Sequence, residues 1–333
     1  MTVAQGGGAS APGKLMICGE YVVLDGAEAV VAAVSTRAYA RWSAAPTDRS
    51  PTTLGSSPDS RGAPPEAVVA RRWAEASTRP DARTLVIDVS ELRQGHKKVG
   101  LGSSAAAAAA AAGAVFDAAG LDLRDRAVRG RVLDAALGGH REVAPQGSGA
   151  DVAAAVLGGF VRFRRLDDAV EAFPLLWPTA VEVTAVWTGS EARTSDFVAA
   201  VKRFASASPA GYREHARELG TESEQLASAA IDNDSKSLIE AAGNFGRAMG
   251  RLGEAAGVPI VTPGLALVSD LASRAGGSAK PSGAGGGDVA VAFFDDPARR
   301  IAFETACRER GLVVLSLALG AEGVRPEAPQ GND

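Results

Sequence analysis

Lys98-Val-Gly-Leu-Gly-Ser-Ser-Ala-Ala106 combines small residues, hydroxyls and a helix start in a way that could do chemistry. Gly100 and Gly102 let the backbone turn tightly and approach a ligand closely. Ser103 and Ser104 stand where a helix should begin, and an unbroken run from Ala105 to Ala112 continues it with the strongest helix former. A glycine turn opening onto a helix N-terminus presents unpaired N–H donors and the positive end of the helix dipole, an arrangement suited to phosphate. An ordinary capped helix after a glycine turn has the same signature.

Three further stretches repeat the theme. Gln146-Gly-Ser-Gly-Ala-Asp151 opens a helix with small residues and sets one carboxylate in its first turn, where the dipole alone would favour an acid. Lys280-Pro-Ser-Gly-Ala-Gly-Gly-Gly-Asp288 is a second glycine-rich loop, and Ala11-Pro-Gly-Lys14 a turn that sets a lysine at the entrance of a strand. One glycine loop is weak evidence; several, each joined to a helix or strand end, point to backbone converging on a large anion such as a nucleoside triphosphate. The P-loop pattern G-x-x-x-x-G-K-[ST] is absent, and no G-x-G-x-x-G opens an early helix.

The elements that must position these loops follow from hydrophobic periodicity. Leu15 to Cys18 is expected as a buried strand with Tyr21 to Leu24 as its continuation or neighbour, followed by short strands at 30–34, 36–42 and 84–89. Pro46 to Pro65 has too little apolar content to pack and is expected as a surface loop. Helices are expected over 66–76 and, capped by Asp122, through Leu137, with a strand over 160–166 whose Arg162, Arg164 and Arg165 form a solvated end. A change of composition at Pro174 to Pro178 suggests a boundary between domains at 1–178 and 179–333. Beyond it come a strand at 181–187, a helix capped by Thr194, helices at 209–231, 235–253 and 263–275, a strand at 289–294, a helix through Arg310, a strand at 312–317 and a frayed tail after Gly320.

Composition bounds the function. The 333 residues are enough for two packed domains, and the formal net charge of -4 lacks the basic excess of a nucleic-acid binder. Cys18 and Cys307 match no metal-ligand spacing and form no disulfide framework, as expected of a reducing compartment. No signal peptide and no membrane-spanning run is evident, so a cytoplasmic location is expected. His96 and His215 have the look of surface residues and His140 of one packed near the Asp151 loop, none with a metal or general-base role.

The sequence resembles the GHMP kinase superfamily, which groups galactokinase, homoserine kinase, mevalonate kinase and phosphomevalonate kinase. The resemblance rests on Ala11-Pro-Gly-Lys14 with Gly19-Glu20-Tyr21, on Gly100-Leu-Gly-Ser-Ser-Ala-Ala106, and on Lys280-Pro-Ser-Gly-Ala-Gly-Gly-Gly287, in the expected order across nearly the whole chain. Within the superfamily, Lys97-Lys98-Val99, the form of the third motif, Gly147 to Ala154 and Trp187 to Thr194 most resemble the phosphomevalonate kinase branch. One departure is a shorter glycine run between Gln146 and Asp151. The resemblance implies an α+β, two-domain fold, with a ribosomal S5-like N-terminal half, a ferredoxin-like C-terminal half and an active site between them.

It also implies ATP and Mg2+, with 5-phosphomevalonate as the small-molecule acceptor, no nucleic-acid or membrane partner, and a monomer or homodimer. By the same resemblance Lys14 neutralises the phosphates, and Asp151 orients it or the acceptor. Gly100, Leu101, Gly102, Ser103, Ser104 and Ala105 cradle ATP, with the Ser104 hydroxyl on Mg2+. Tyr21, Ser148, Arg193, Ser282, Gly283, Ala284, Gly285 and Gly286 meet the acceptor. Rival expectations are a kinase acting on the hydroxyl of mevalonate, with Asp151 as a true base, an ATP-dependent decarboxylase, and a non-catalytic metabolite sensor.

Overall fold

A computed structural model describes residues 7–43, 63–78, 83–95, 97–166, 169–190, 194–287 and 289–328. The first sheet is built on β1 (Gly8–Cys18) and β2 (Ala29–Trp42), antiparallel neighbours whose register shifts between Pro12 and Lys14 and again between Met16 and Cys18. The sheet extends from β2 through β6 (Phe160–Arg165) to β7 (Val170–Leu175), while β3 (Leu85–Asp88) pairs with the far half of β2. Pro12-Gly13 therefore lies inside a strand, at a bulge, and the separate strands expected at 30–34 and 36–42 are one. Polar Ser35 and Thr36 fall opposite that bulge, where the pairing to β1 shifts while the strand itself continues.

Tyr21 to Leu24 is not a strand. Gly19 and Tyr21 adopt left-handed φ values of 97° and 67°, which turn the chain into a single 3-10 turn at Val22–Asp25. A Cβ on Gly19 would lie 2.4 Å from the Cβ of Ala29, so only glycine fits there. Helix α1 (Pro65–Ala76) begins on the last residue of the expected 46–65 surface loop, of which residues 46–62 lie outside the described residues. A short hairpin, β4 (Arg93–Gln94) with β5 (Lys97–Lys98), precedes α2 (Ser103–Ala118). Ala105 to Ala112 and Ala114 of α2 are buried, because the helix runs between the sheet, α1, α3 (Arg126–Val143) and α4 (Ala150–Leu157). Alanine's small side chain is what lets backbones approach on every side. The N-cap of α3 is Asp125, which accepts from the amides of Ala127 and Val128; Asp122, expected in that role, instead closes a turn with the amide of Arg124.

The second sheet has the order β11 (Val313–Leu315), β8 (Glu182–Trp187), β10 (Val289–Phe294), β9 (Ser278–Ser282), all antiparallel. Helices α5 (Thr194–Ala207), α6 (Pro209–Ile231), α7 (Ser235–Ala256), α8 (Pro263–Arg274) and α9 (Pro297–Glu309) pack around it and one another. Trp177, in the linker between β7 and β8, stacks on Phe160 at 4.4 Å and sits 6.3 Å from Phe293, so one aromatic column joins the two sheets. The expected α+β, two-domain architecture is the one observed. Among the described residues no helix is long and apolar enough to cross a membrane.

The tail is the main departure. After Gly320 the chain returns to the first sheet, buries Val324 completely and adds β12 (Arg325–Glu327) to the edge of β1. Arg37, 4% exposed, fastens it: its guanidinium donates to the carbonyls of Glu322 (2.8 Å), Gly323 (2.7 Å) and Ser10 (3.0 Å) and to the Ser10 hydroxyl (2.8 Å). Burial, more than any neighbouring charge, lowers the Arg37 pKa to about 10. A polar tail read from composition looks frayed; one buried arginine supplies the donors that order it. Replacing Arg37 by Ala strands these carbonyls, and chemical denaturation should register a loss of about 2–4 kcal/mol. Unchanged stability would mean the tail is not fastened by this side chain.

Candidate active site

The glycine turn ahead of α2 is shaped by left-handed residues at Gly100 (φ 77°) and Gly102 (φ 73°), the latter serving as the helix N-cap without a side-chain capping bond. Gly102 has no side chain with which to cap the first-turn amides of α2. β1 lies alongside: the Lys14 amide donates to the carbonyl of Leu101 at 2.9 Å, and Lys14 Nζ reaches the carbonyl of Gly100 at 3.4 Å. A Cβ on Gly102 would sit 2.9 Å from Lys14 Cγ, so the glycine makes room for the lysine stem. Leu101 and Ala105 turn their side chains into the core and can offer a ligand only backbone.

From Lys14 a cavity of about 270 Å³ opens, lined by Met16, Glu20, Tyr21, Ser148, Asp151, Gly283 and Ala284 among others. Both halves of the chain contribute, since Ser195 and Val198 of α5 also line it. Asp151 stands in the first turn of α4, after Gly149 in the left-handed region, and its carboxylate accepts from the Val152 amide at 2.9 Å. Ser148 Oγ accepts from the Ala150 amide at 3.2 Å, tightening the same turn. No ion pair joins Lys14 to Asp151 among the described residues; the two share a cavity, not a bond.

A buried pair holds the third loop against the first. Lys280 on β9 and Glu20 have side chains 0% and 2% exposed, with Nζ 2.5 Å from Oε1. The same Glu20 oxygen accepts from the Gly283 amide at 3.2 Å, and Lys280 also donates to the carbonyl of Pro281 at 2.6 Å. Next to them the Tyr21 hydroxyl donates to the carbonyl of Ala284 at 2.5 Å. Burial, reinforced by the Glu20 carboxylate, pushes the Tyr21 phenol well above its usual range, so it acts as a neutral donor.

Ser282, expected to meet the acceptor, is instead spent on structure. Its Oγ accepts from the Met16 amide at 2.9 Å and donates to the Met16 carbonyl at 3.1 Å, and it is 6% exposed. Gly285 also differs from expectation: its Cβ would lie 2.3 Å from the carbonyl of Ile260, so it packs on protein rather than towards the cavity. The Gly286 amide donates to that carbonyl at 2.9 Å. Gly283 is the glycine that faces Lys14, with 4.0 Å between its would-be Cβ and Nζ. Arg193 lies outside the described residues. Glu20 and Lys280 announce no role in the sequence beyond their motifs; the available signal is two opposite charges embedded in small-residue, apolar stretches. His140 lines the cavity too. Arg165, expected as part of a solvated strand end, donates to the carbonyl of Gly147 at 3.1 Å, and Arg162 pairs with Glu28 at 2.6 Å.

A glycine turn before a helix, a lysine between that turn and a cavity walled by both halves of the chain, and a two-domain α+β fold together fit a small-molecule kinase. Residues 83–159 match the family described as GHMP kinases N terminal domain and residues 226–311 the one described as GHMP kinases C terminal. The chain is 30% identical to a phosphomevalonate kinase of Streptomyces sp. (strain CL190) over 94% of this chain and 97% of that protein. It is 27% identical to a mevalonate kinase of Pyrococcus horikoshii over 96% and 97% of the two. A solved structure of Streptococcus pneumoniae phosphomevalonate kinase in complex with phosphomevalonate and AMPPNP superposes with a TM-score of 0.77 at 20% identity, covering 93% of this chain and 99% of that one. The chain belongs to the GHMP kinases.

The two glycines of the third loop separate two effects. Gly283→Ala should lower turnover at least several-fold while costing on the order of 1 kcal/mol of stability, the strain of a left-handed alanine. Gly285→Ala, driven into the Ile260 carbonyl, should cost distinctly more stability in the same denaturation experiment. Equal stabilities would refute the packing assignment of Gly285.

Proposed function

We propose that this kinase transfers the γ-phosphoryl group of ATP to the terminal phosphate of 5-phosphomevalonate, giving the 5-diphosphate and ADP. The observation that carries the proposal is the cavity itself: Lys14, Tyr21, Ser148, Asp151 and Gly283 line about 270 Å³, and Lys14 also reaches the turn before α2 through the Gly100 carbonyl. That volume suits a small phosphorylated acid. Support comes also from the Streptomyces relative, which bears the name phosphomevalonate kinase at 30% identity.

An acceptor phosphate is already anionic near neutral pH, so the site needs positioning and charge neutralisation more than a strong base. One acceptor oxygen bonds to the γ-phosphorus as the bond from that phosphorus to the β,γ-bridging oxygen breaks, and ADP carries the electron pair away. The amides of Ser103, Ser104 and Ala105 hold the ATP phosphates. Lys14 neutralises charge between donor and acceptor, while Asp151 orients the lysine or the acceptor. Tyr21, Ser148, Arg193 and Ala284 are assigned to the acceptor side.

Mg2+ fits the donor set available. Among the described residues no cluster of three His, Cys, Asp or Glu could hold a metal, so the ion would need phosphate oxygens plus a hydroxyl, for which Ser104 at the start of α2 is suited. When bound, it supplies neutralisation of phosphate charge. The division of labour also suggests residues 1–178 and 179–333 as two lobes acting on the cavity from either side.

The test is ADP release from ATP-Mg with 5-phosphomevalonate, mevalonate and 5-diphosphomevalonate offered in parallel, carbon dioxide being followed as well. Turnover with 5-phosphomevalonate alone supports the proposal. Turnover with mevalonate would move the acceptor to a hydroxyl and make Asp151 its base, and carbon dioxide release would make the chain a decarboxylase. Lys14→Ala and Asp151→Ala should each lower turnover on the order of 100-fold or more with the fold intact. Near-normal turnover in either variant would remove that residue from the mechanism.

A further inference from the structure

Buried side-chain atoms without a hydrogen-bond partner occur, among the described residues, on Glu20, Thr36, His140, His215 and Glu222. Glu20 and His140 both line the acceptor cavity. A buried polar atom left unpaired is costly, and such groups in a native fold call for an explanation. Glu20 has one oxygen committed to Lys280. His140 has nothing: it is 8% exposed, and neither Nδ1 nor Nε2 meets a protein partner.

A histidine that merely fills space usually fixes its ring by donating one N–H to a carbonyl or carboxylate. His140 is fixed by packing alone. It stands in the last turn of α3, where its carbonyl accepts from the Ala144 amide at 2.7 Å. The chain then folds over the ring so closely that a Cβ on Gly147 would lie 2.2 Å from Nε2. That loop is itself anchored, the Gly147 amide donating to Ala144 at 2.9 Å and its carbonyl accepting from Arg165 at 3.1 Å. The imidazole is therefore held, buried and unsatisfied, at the wall of a cavity that Met16, Val23, Leu24, Ala144 and Val198 line with apolar groups and Lys14, Glu20, Ser148 and Asp151 with polar ones.

We propose that His140 is a recognition residue for the acceptor, donating a ring N–H to an acceptor oxygen of phosphate, carboxylate or hydroxyl type. The inference rests on the assignment of this cavity to the acceptor. In either neutral tautomer the ring offers one donor and one lone pair, which suits an oxygen-rich ligand and gives an apolar one nothing. The arrangement trades stability of the free protein for affinity, and that trade is what a purely structural histidine would not make.

Equilibrium binding of 5-phosphomevalonate by calorimetry, without ATP, tests the proposal on His140→Leu and His140→Gln beside the unaltered protein. In His140→Leu the affinity should fall on the order of 10- to 100-fold. The KM for the acceptor should rise with it, the KM for ATP should hold within about twofold, and the unliganded melting temperature should stay level or increase. His140→Gln, which restores a donor, should recover most of the affinity. Undiminished affinity in His140→Leu overturns the proposal, as does a lowered melting temperature with no rescue by glutamine. A second readout needs no folded variant: the ring-nitrogen resonances of His140 should shift when 5-phosphomevalonate binds, and unmoved resonances in a formed complex overturn it equally. Normal binding and turnover by the unaltered protein with indifferent His140 variants sinks this inference alone. Failure of the unaltered protein to bind 5-phosphomevalonate sinks the acceptor assignment, and this inference with it.

Discussion

The buried ion pair between Glu20 and Lys280 is the constraint on which the rest of the site depends. Burying two charges is expensive, and a pair repays the cost only when geometry and further hydrogen bonds are good. Here one Glu20 oxygen serves both Lys280 Nζ and the Gly283 amide, and the lysine also reaches the Pro281 carbonyl. Lys280 Nζ lies 5.3 Å from the centre of the Phe245 ring, a further favourable contact for a desolvated cation. The consequence is registry: residues about 260 apart in sequence are brought to one side of one cavity. The Ser282 hydroxyl bonded to Met16 and the Tyr21 hydroxyl bonded to Ala284 continue the same seam.

Around that seam, glycine and alanine provide space where function needs backbone. Gly102 leaves room for the Lys14 stem, and the alanines of α2 let a helix N-terminus be delivered through the middle of the first domain. A larger side chain along α2 would push the glycine turn before it away from Lys14, since the interior transmits strain rather than absorbing it. Tyr21, held at a left-handed φ, is a strained residue whose position is over-determined by its hydrogen bond and by burial. Lys14 belongs to both parts of the site, touching the α2 turn with one contact and the cavity with another.

Much of this was legible in the sequence because the informative features are local. Small-residue turns before helices can be read one at a time, and Lys14, Tyr21, Ser148, Asp151, Gly283 and Ala284 indeed meet at one cavity. The strands and helices with strong periodicity, such as α6 and β10, were predictable to the residue. What was not legible is what depends on partners distant in sequence. Nothing near Arg37 announces that the segment after Gly320 will come back to be fastened by it, and a polar, proline-containing tail looks frayed until its partner is known. The Tyr21 turn was missed because its hydrophobic run suits a strand, while Gly19 decides the backbone. Ser282 sits in a family motif, yet its hydroxyl is consumed by Met16, an outcome only tertiary structure can reveal. His140 carried no motif at all.

The most direct test of the central claim is a double-mutant cycle on Glu20→Gln and Lys280→Met, followed by denaturant unfolding and by turnover. Each single substitution leaves a buried charge or donor alone and should cost about 3–5 kcal/mol. The double variant should recover part of that loss, because no lone charge remains and the two sites are directly coupled. Turnover should nevertheless stay low in all three, since Gly283 and Ala284 lose the registry that brings them to Lys14. A double variant as active as the unaltered protein would contradict the account: the pair would then be a stabilising contact without a hand in building the site.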